Sequence, residues 1–361
     1  MPRLFGRDWS RDELLDRIGE PSQLAGARCA DTLRSPESGA GALEMWNSSG
    51  LRLTLLPGRC LDIADARFRG MPLCFHAAPG VVGPAFHEPQ GEGWLRGWCG
   101  GLLTTCGLTF VGHPERDPEE EDEDLGLHGR ISFAPARDLA MDAGWEGDDY
   151  VVRVRGRMHE AAVFGVNLEL RREFRMTLGE PCLRLHDRVV NRSRTLTSPL
   201  MVVYHTNPGF PLLDEGTRLL LDSRRSIEWL EDREVGPEDY ARARAPSAEN
   251  HDDVFVHDPR PDAGGMVNVA LVNERLAGGL GLYWRFPKAE IPILNQWQHF
   301  EAGTYVTGIE PGNCSVLGRA RNRAAGTLEH LPPGEARDLH LEMGVLEGAA
   351  AIAAFAEQHG L

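Results

Sequence analysis

Three short segments of this chain carry side chains suited to moving protons: Leu127-His128-Gly129-Arg130, Tyr204-His205-Thr206-Asn207-Pro208-Gly209-Phe210 and Thr307-Gly308-Ile309-Glu310-Pro311-Gly312-Asn313. An imidazole and a carboxylate have ordinary pKa values close enough to neutrality for burial and neighbours to tune one as an acid and the other as a base. His205 is the candidate acid and Glu310 the candidate base, with His128 as a third group that binds or polarises the substrate. Each also has a plainer reading. A histidine closing a strand is commonly a satisfied structural residue, Gly129 and Pro208 suit ordinary turns, and Glu310 before Pro311 fits an exposed strand end. The same three side chains could ligate a metal from separate strands. No HxH or HxxxE cluster reinforces that arrangement, and neither a metal nor an organic cofactor is expected.

The elements that must position these residues are strands. Val152 and Val154 alternate with Arg153 and Arg155; Val166, Leu168 and Leu170 with Asn167, Glu169 and Arg171; Leu183 and Leu185 with Arg184 and His186. Alternation of period two marks half-buried strands. Further strands are expected at 51–56, 200–205, 267–272, 281–286 and 304–309. Successive strands with turn signals and no helical windows between them predict antiparallel sheets and an all-β sandwich. Helix signals sit near the ends. Ser10 and Glu13 have capping-box spacing with Gly19 as the stop, and the alanine-rich stretch 347–358 reads as a second helix. Residues 1–361 read as a single domain, with 1–40 as an N-terminal extension bearing the short first helix. The acidic run 117–124 predicts a solvated loop rimming the site near His128, and 232–253 a long surface connection.

With 42% hydrophobic and 25% charged residues, a chain of 361 residues can bury a large core. Its 54 acidic against 38 basic residues give a net charge of −16, which disfavours nucleic acid and acidic membrane surfaces as partners. Residues 1–20 lack the apolar run of a signal peptide, and no later segment has the length of a membrane-spanning helix. Seven cysteines without CxxC spacing suit a reducing compartment, so a cytoplasmic protein is expected and the sequons at Asn47, Asn191 and Asn313 carry no glycan. Gly91, Gly93 and Gly97 do not join a strand to a helix and make no nucleotide loop.

In order and spacing, the three segments resemble those of the galactose mutarotase (aldose 1-epimerase) superfamily. Leu127-His128-Gly129 is similar to its LHG motif, the segment beginning at His205 to its HPYFN-type strand end, and Ile309-Glu310-Pro311 to its LEP-type strand end. The resemblance spans nearly the whole chain and points to a divergent aldose-epimerase-like branch with segments similar to Pro57-Gly58-Arg59-Cys60-Leu61-Asp62-Ile63 and 100–107. It implies a galactose mutarotase-like antiparallel β-supersandwich and an isomerase that interconverts the anomers of a small sugar without a cofactor. In that family the first histidine binds substrate, the second is the general acid and the late glutamate the general base, roles that fall on His128, His205 and Glu310. An intervening aspartate binds sugar hydroxyls, and Asp253 is its expected counterpart.

Asn207, Trp297, Arg130 and Arg59 complete the expected substrate contacts: Trp297 through its aromatic face, Arg130 through a carboxylate or phosphate, and Arg59 by reaching the pocket unless it is fixed against Asp62. Ring opening would carry the anomeric hydroxyl proton to the base while the acid protonates the ring oxygen, the two groups standing on opposite sides of the sugar. Two departures bear on which sugar is bound. The arginine of the family's GRxANRI segment has no counterpart, and Arg130 stands where typical mutarotases have a second glycine. The competing readings are a non-catalytic carbohydrate-binding protein and a metal-dependent sugar isomerase or lyase; a homodimer is compatible with the sequence.

Overall fold

The structure is a computed structural model that describes residues 2–4, 7–18, 20–30, 38–117, 119, 124–230, 232–249 and 252–361. Its sheets follow from the alternation in the sequence. In Asp149–Ala161, Val152, Val154 and Met158 are buried while Arg155 and Arg157 face water. That pattern is a strand with one face on a core and one in solvent. Eight strands form an antiparallel sheet in the order Arg137–Glu146, Asp149–Ala161, Asn167–Thr177, Cys182–Asn191, Ala336–Glu347, Leu280–Pro287, Met266–Asn273 and Arg218–Leu221.

A second eight-stranded sheet carries the motif residues. It runs Ser223–Glu228, Asp252–Pro259, Ile293–Glu301, Thr304–Gly312, Ser198–His205, with Arg233–Glu234 and Glu329–Leu331 at its ends and Thr104–Leu108 paired to Ser198–His205. A third sheet of five strands holds Gly26–Ala30, Ala42–Trp46, Leu51–Leu56, Asp62–Phe68 and Met71–Pro72. Ser198–His205 is buried throughout and divides two cores by parity: Leu200, Val202 and Tyr204 enter the large core, whereas Met201 and Val203 pack with Trp94, Trp98 and Leu127. His205 shares the parity of Met201 and Val203, so the strand delivers it to the tryptophan side.

The two expected helices are present. Arg11–Leu15 has its capping box, with Glu13 N–H donating to Ser10 Oγ and Ser10 N–H to Glu13, and Ala349–His359 closes the chain. Gly19 lies outside the described residues. The expectation of a solvated acidic loop fails at Asp117, whereas 232–253 is the surface connection expected between two strands. Asp117 is buried, because Arg323 (2.6 Å) and Arg319 (3.5 Å) neutralise it; Pro118 and 120–123 lie outside the described residues. The 232–253 connection contains the strand Arg233–Glu234 and the helix Pro237–Tyr240, and its end opens the strand Asp252–Pro259. All seven cysteines are free and only Cys29 is exposed. Among the described residues no helix is long and apolar enough to cross a membrane.

Candidate active site

Strand register brings the acid and base together. Val203 pairs with Gly312 and Thr206 bridges Ile309, so His205 lies directly across from Glu310 on the neighbouring strand. Ile309 N–H donates to the Thr206 carbonyl at 2.9 Å and fixes that register at the strand's end. His205 Nε2 and Glu310 Oε1 are 3.2 Å apart, with the residues only 6% and 2% exposed. The pair is thus in direct contact, not spread across a gap the width of a sugar as the sequence reading supposed. Two adjacent groups still suit the chemistry, since the anomeric hydroxyl and the ring oxygen are bonded to the same carbon. Room for the carboxylate comes from Gly308, where a Cβ would sit 2.0 Å from Glu310 Oε1.

These groups are buried without being satisfied. Neither Glu310 Oε1 nor His205 Nδ1 has a hydrogen-bond partner. Burial pushes the Glu310 carboxyl up to about 8. It pulls His205 down to about 4, against a smaller opposing influence of Asn207. Both shifts favour the neutral forms. Between about pH 4 and about pH 8 both groups are therefore neutral, so that Glu310 carries a proton it can donate and His205 can accept one.

The pair forms the floor of a cavity of about 430 Å³. His128 reaches it from a turn in which it takes a positive φ of 55°, and Gly129 follows at 74°, where a Cβ would lie 2.5 Å from the Gly107 carbonyl oxygen. Only glycine fits there. The His128 ring stands 5.8 Å from that of His205, its Nδ1 is unpartnered, and desolvation first and His205 second hold it well below its ordinary pKa. Trp94, Trp98 and Trp297 wall the cavity, with the Trp98 and Trp297 rings edge-to-face at 5.9 Å. Trp229 lines the mouth stacked on His113 at 5.2 Å. The donor atoms of His128, His205 and Glu310 do not form a set within 4.8 Å of one another.

The other expected contacts divide. Trp297 lies in the cavity wall. Asp253 does not line it: its carboxylate pairs with Arg244, while Asp252 faces the cavity and accepts from Trp297 Nε1 at 3.0 Å and His299 Nδ1 at 2.6 Å. The cause is register, since Asp252 pairs with His299 and Asp253 with Gln298, and neighbours along a strand point to opposite faces. Arg130 is exposed and lines a separate cavity of about 230 Å³ with His87 and Phe133. Arg59 is buried in the scaffold, not at the site. It donates to the carbonyls of Ser132 (2.8 Å), Val82 (2.6 Å) and Gly97 (3.1 Å), stacks on Phe133, and leaves Asp62 to Arg172 and Thr105. Asn207 is buried behind His205, donating to the carbonyls of Gly101 and His205, both at 3.1 Å. It positions the acid's turn and does not line the cavity. Sequence reasoning missed Trp94, Trp98, His113 and Trp229. The density of tryptophan around the short helix Gly93–Arg96 was the available signal.

The antiparallel sheets and the placement of this cavity define a galactose mutarotase-like fold. The chain is similar to a Klebsiella pneumoniae protein described as a "putative aldose 1-epimerase", with 24% identity, 96% of this chain and 92% of that chain covered, and a TM-score of 0.83. It is also similar to a galactose mutarotase-like protein from Clostridium acetobutylicum (13% identity, 90% and 99% covered, TM-score 0.62). A galactose 1-epimerase from Lactobacillus acidophilus shares the fold at 12% identity, with 90% and 99% covered and a TM-score of 0.59. Residues 37–345 match the family model described as a domain of unknown function, DUF4432, and the chain belongs to that family. The comparison with curated proteins gives no match.

Proposed function

We propose that this protein interconverts the anomers of a neutral aldose, as an aldose 1-epimerase. The observation that carries the reading is the 3.2 Å contact between His205 Nε2 and Glu310 Oε1 at the floor of a tryptophan-walled cavity. The unprotonated member of the pair takes the proton of the anomeric hydroxyl. As C1=O forms, the C1–O5 bond breaks, and O5 receives the proton held by the other member. Rotation about C1–C2 presents the second carbonyl face. O5 then attacks C1, returns its proton to the pair, and the new anomeric oxygen is reprotonated. Ring opening with Glu310 as base and His205 as acid proceeds from the ion-pair form, reached when the Glu310 proton crosses the 3.2 Å contact to His205; it leaves the neutral pair, from which ring closure runs with the roles exchanged. His128 supports the ring-oxygen side.

The preference for a neutral sugar rests on charge. The described residues lining the cavity include Glu92, Asp252 and Glu310 but no lysine or arginine. A uronate or sugar phosphate would enter without a counter-ion, at a high desolvation cost. The tryptophan faces suit the apolar C–H face of a pyranose.

Exchange NMR of α and β signals on equilibrated neutral, deoxy, acidic and phosphorylated aldoses tests this. Wild type should accelerate interconversion of neutral or deoxy aldoses, and Glu310→Gln should lower the rate by about 10²–10⁴-fold. Acceleration unchanged by Glu310→Gln would remove Glu310 as base. Binding shifts without acceleration for any sugar would favour a carbohydrate-binding protein.

A further inference from the structure

Some 309 residues of the chain match its family, yet one cluster of side chains has no part in the sugar chemistry. Asp65, Cys74 and His76 each present a donor atom, and the three atoms lie within 4.8 Å of one another. The arrangement follows from strand pairing. Asp62–Phe68 and Met71–Pro72 are antiparallel, with Arg67 opposite Pro72, and Leu73 N–H donates to the Ala66 carbonyl at 3.0 Å. Continuing that register sets Asp65 opposite Cys74. Two residues on, His76 faces the same side as Cys74, so an oxygen, a sulfur and a nitrogen converge on one face.

The geometry suits a cation between them. Arg67 Nε donates to Asp65 Oδ2 at 2.8 Å. Its other oxygen, Oδ1, is shielded from water and has no hydrogen-bond partner, although His76 Nε2 is 3.1 Å away. Two ligands on a tetrahedral zinc ion, one oxygen and one nitrogen, stand roughly 3.3 Å apart, and a nitrogen and a sulfur roughly 3.6 Å apart. The observed oxygen–nitrogen spacing already matches. Cys74 is buried, whereas the His76 side chain is half exposed, which leaves the solvent side open for water as a fourth ligand.

We propose that Asp65, Cys74 and His76 form a binding site for a divalent transition cation of the zinc class. Thiolate with imidazole and carboxylate selects such an ion over calcium or magnesium. On binding, the Cys74 thiol loses its proton to solvent and the sulfur takes its place on the metal. The role is structural. The chain around the site bonds two segments that adjoin the sugar cavity: Phe75 N–H donates to the Asn207 carbonyl (2.9 Å), Ala77 N–H to that of Cys99 (3.0 Å), and Gly101 N–H to that of Phe75 (2.8 Å). A metal clip here would fix the turn after His205 and the loop after Trp98 at once, and the proposal stands whether or not the cavity turns over a sugar.

Titration of chelator-stripped, full-length protein with Co²⁺ alone tests it by absorbance. Expected are saturation at one Co²⁺ per chain, a near-ultraviolet thiolate charge-transfer band and visible bands of four-coordinate intensity. Cys74→Ser should abolish the charge-transfer band. His76→Ala changes a half-exposed side chain and should fold normally, yet weaken Co²⁺ binding at least about tenfold. Zn²⁺ should compete the bands away and raise the melting temperature of wild type by more than that of His76→Ala at the same zinc concentration. Absence of the thiolate band in folded wild type, or a band whose affinity is unchanged in His76→Ala, would overturn the site.

Discussion

Tyr204 and His205 are consecutive residues of one strand and face two opposite designs. Behind the strand, Tyr204 Oη donates to Asp187 (2.9 Å), and Arg172 donates to both oxygens of Asp187 (2.9 and 2.6 Å) and to Asp62 (3.1 Å). Asp62 also accepts from the Thr105 hydroxyl and N–H. The carboxylates of this buried network are met by donors. In front, His205 Nδ1, Glu310 Oε1, His128 Nδ1 and Trp98 Nε1 are buried without partners. Both faces exclude water, but satisfied polar groups rigidify a scaffold, while unsatisfied ones raise the free energy of the empty state until a ligand pairs with them. One strand thus anchors a site on one side and presents it on the other.

The contrast can be broken on the anchoring side first. Arg172→Ala would leave Asp62 and Asp187 buried without their cation and should destabilise the fold by about 3–5 kcal/mol in denaturant titration. Near-native stability would mean that the network is not the anchor. On the presenting side, Gly308→Ala should displace the Glu310 carboxylate. A misplacement of about 1 Å costs about 10²-fold in rate, with the melting temperature nearly unchanged. An unaltered rate would show that the carboxylate has room to move.

Stability against pH sharpens the difference further. The raised Glu310 pKa means the folded state binds that proton more tightly, so the stability it contributes is complete below the ordinary carboxylate range and is lost as pH rises through about 8. His205, lowered to about 4, has the opposite sign: stability is lost as pH falls from the ordinary imidazole range toward about 4. Glu310→Gln should remove the alkaline loss, so its stability relative to wild type rises between about pH 5 and about pH 8 by at most about 1.4 kcal/mol per pH unit. Parallel stability curves for the two proteins would contradict a raised Glu310. The smallest effects separate neighbouring aspartates. Asp252→Ala strips Trp297 and His299 of their acceptor and should weaken sugar binding about tenfold in calorimetry. Asp253→Ala loses only a surface pair with Arg244 and should cost less than about 1 kcal/mol, leaving binding unchanged.

Much of the fold was legible because it is local. The strand expected at 51–56 is Leu51–Leu56, and that at 304–309 lies within Thr304–Gly312; period-two burial needs only neighbouring residues to declare itself. The capping box at Ser10 was legible for the same reason. Residue type misled where burial decided the role. A guanidinium at Arg59 invites a ligand, but three backbone carbonyls and Phe133 claim it, and Asn207 is spent on the turn behind the acid. Trp94 sits in a short helix with no periodic pattern to announce a cavity wall.

By itself the sequence determined the all-β class, the terminal helices and the three segments that hold His128, His205 and Glu310, because alternation and turn chemistry are written in adjacent residues. Tertiary structure alone decided that His205 and Glu310 touch, that Asp252 and not Asp253 faces the cavity, and that the described residues of the lining include no lysine or arginine. Those outcomes depend on register between strands as far apart in the chain as 205 and 310. A shift of a single residue there would turn every side chain to the opposite face.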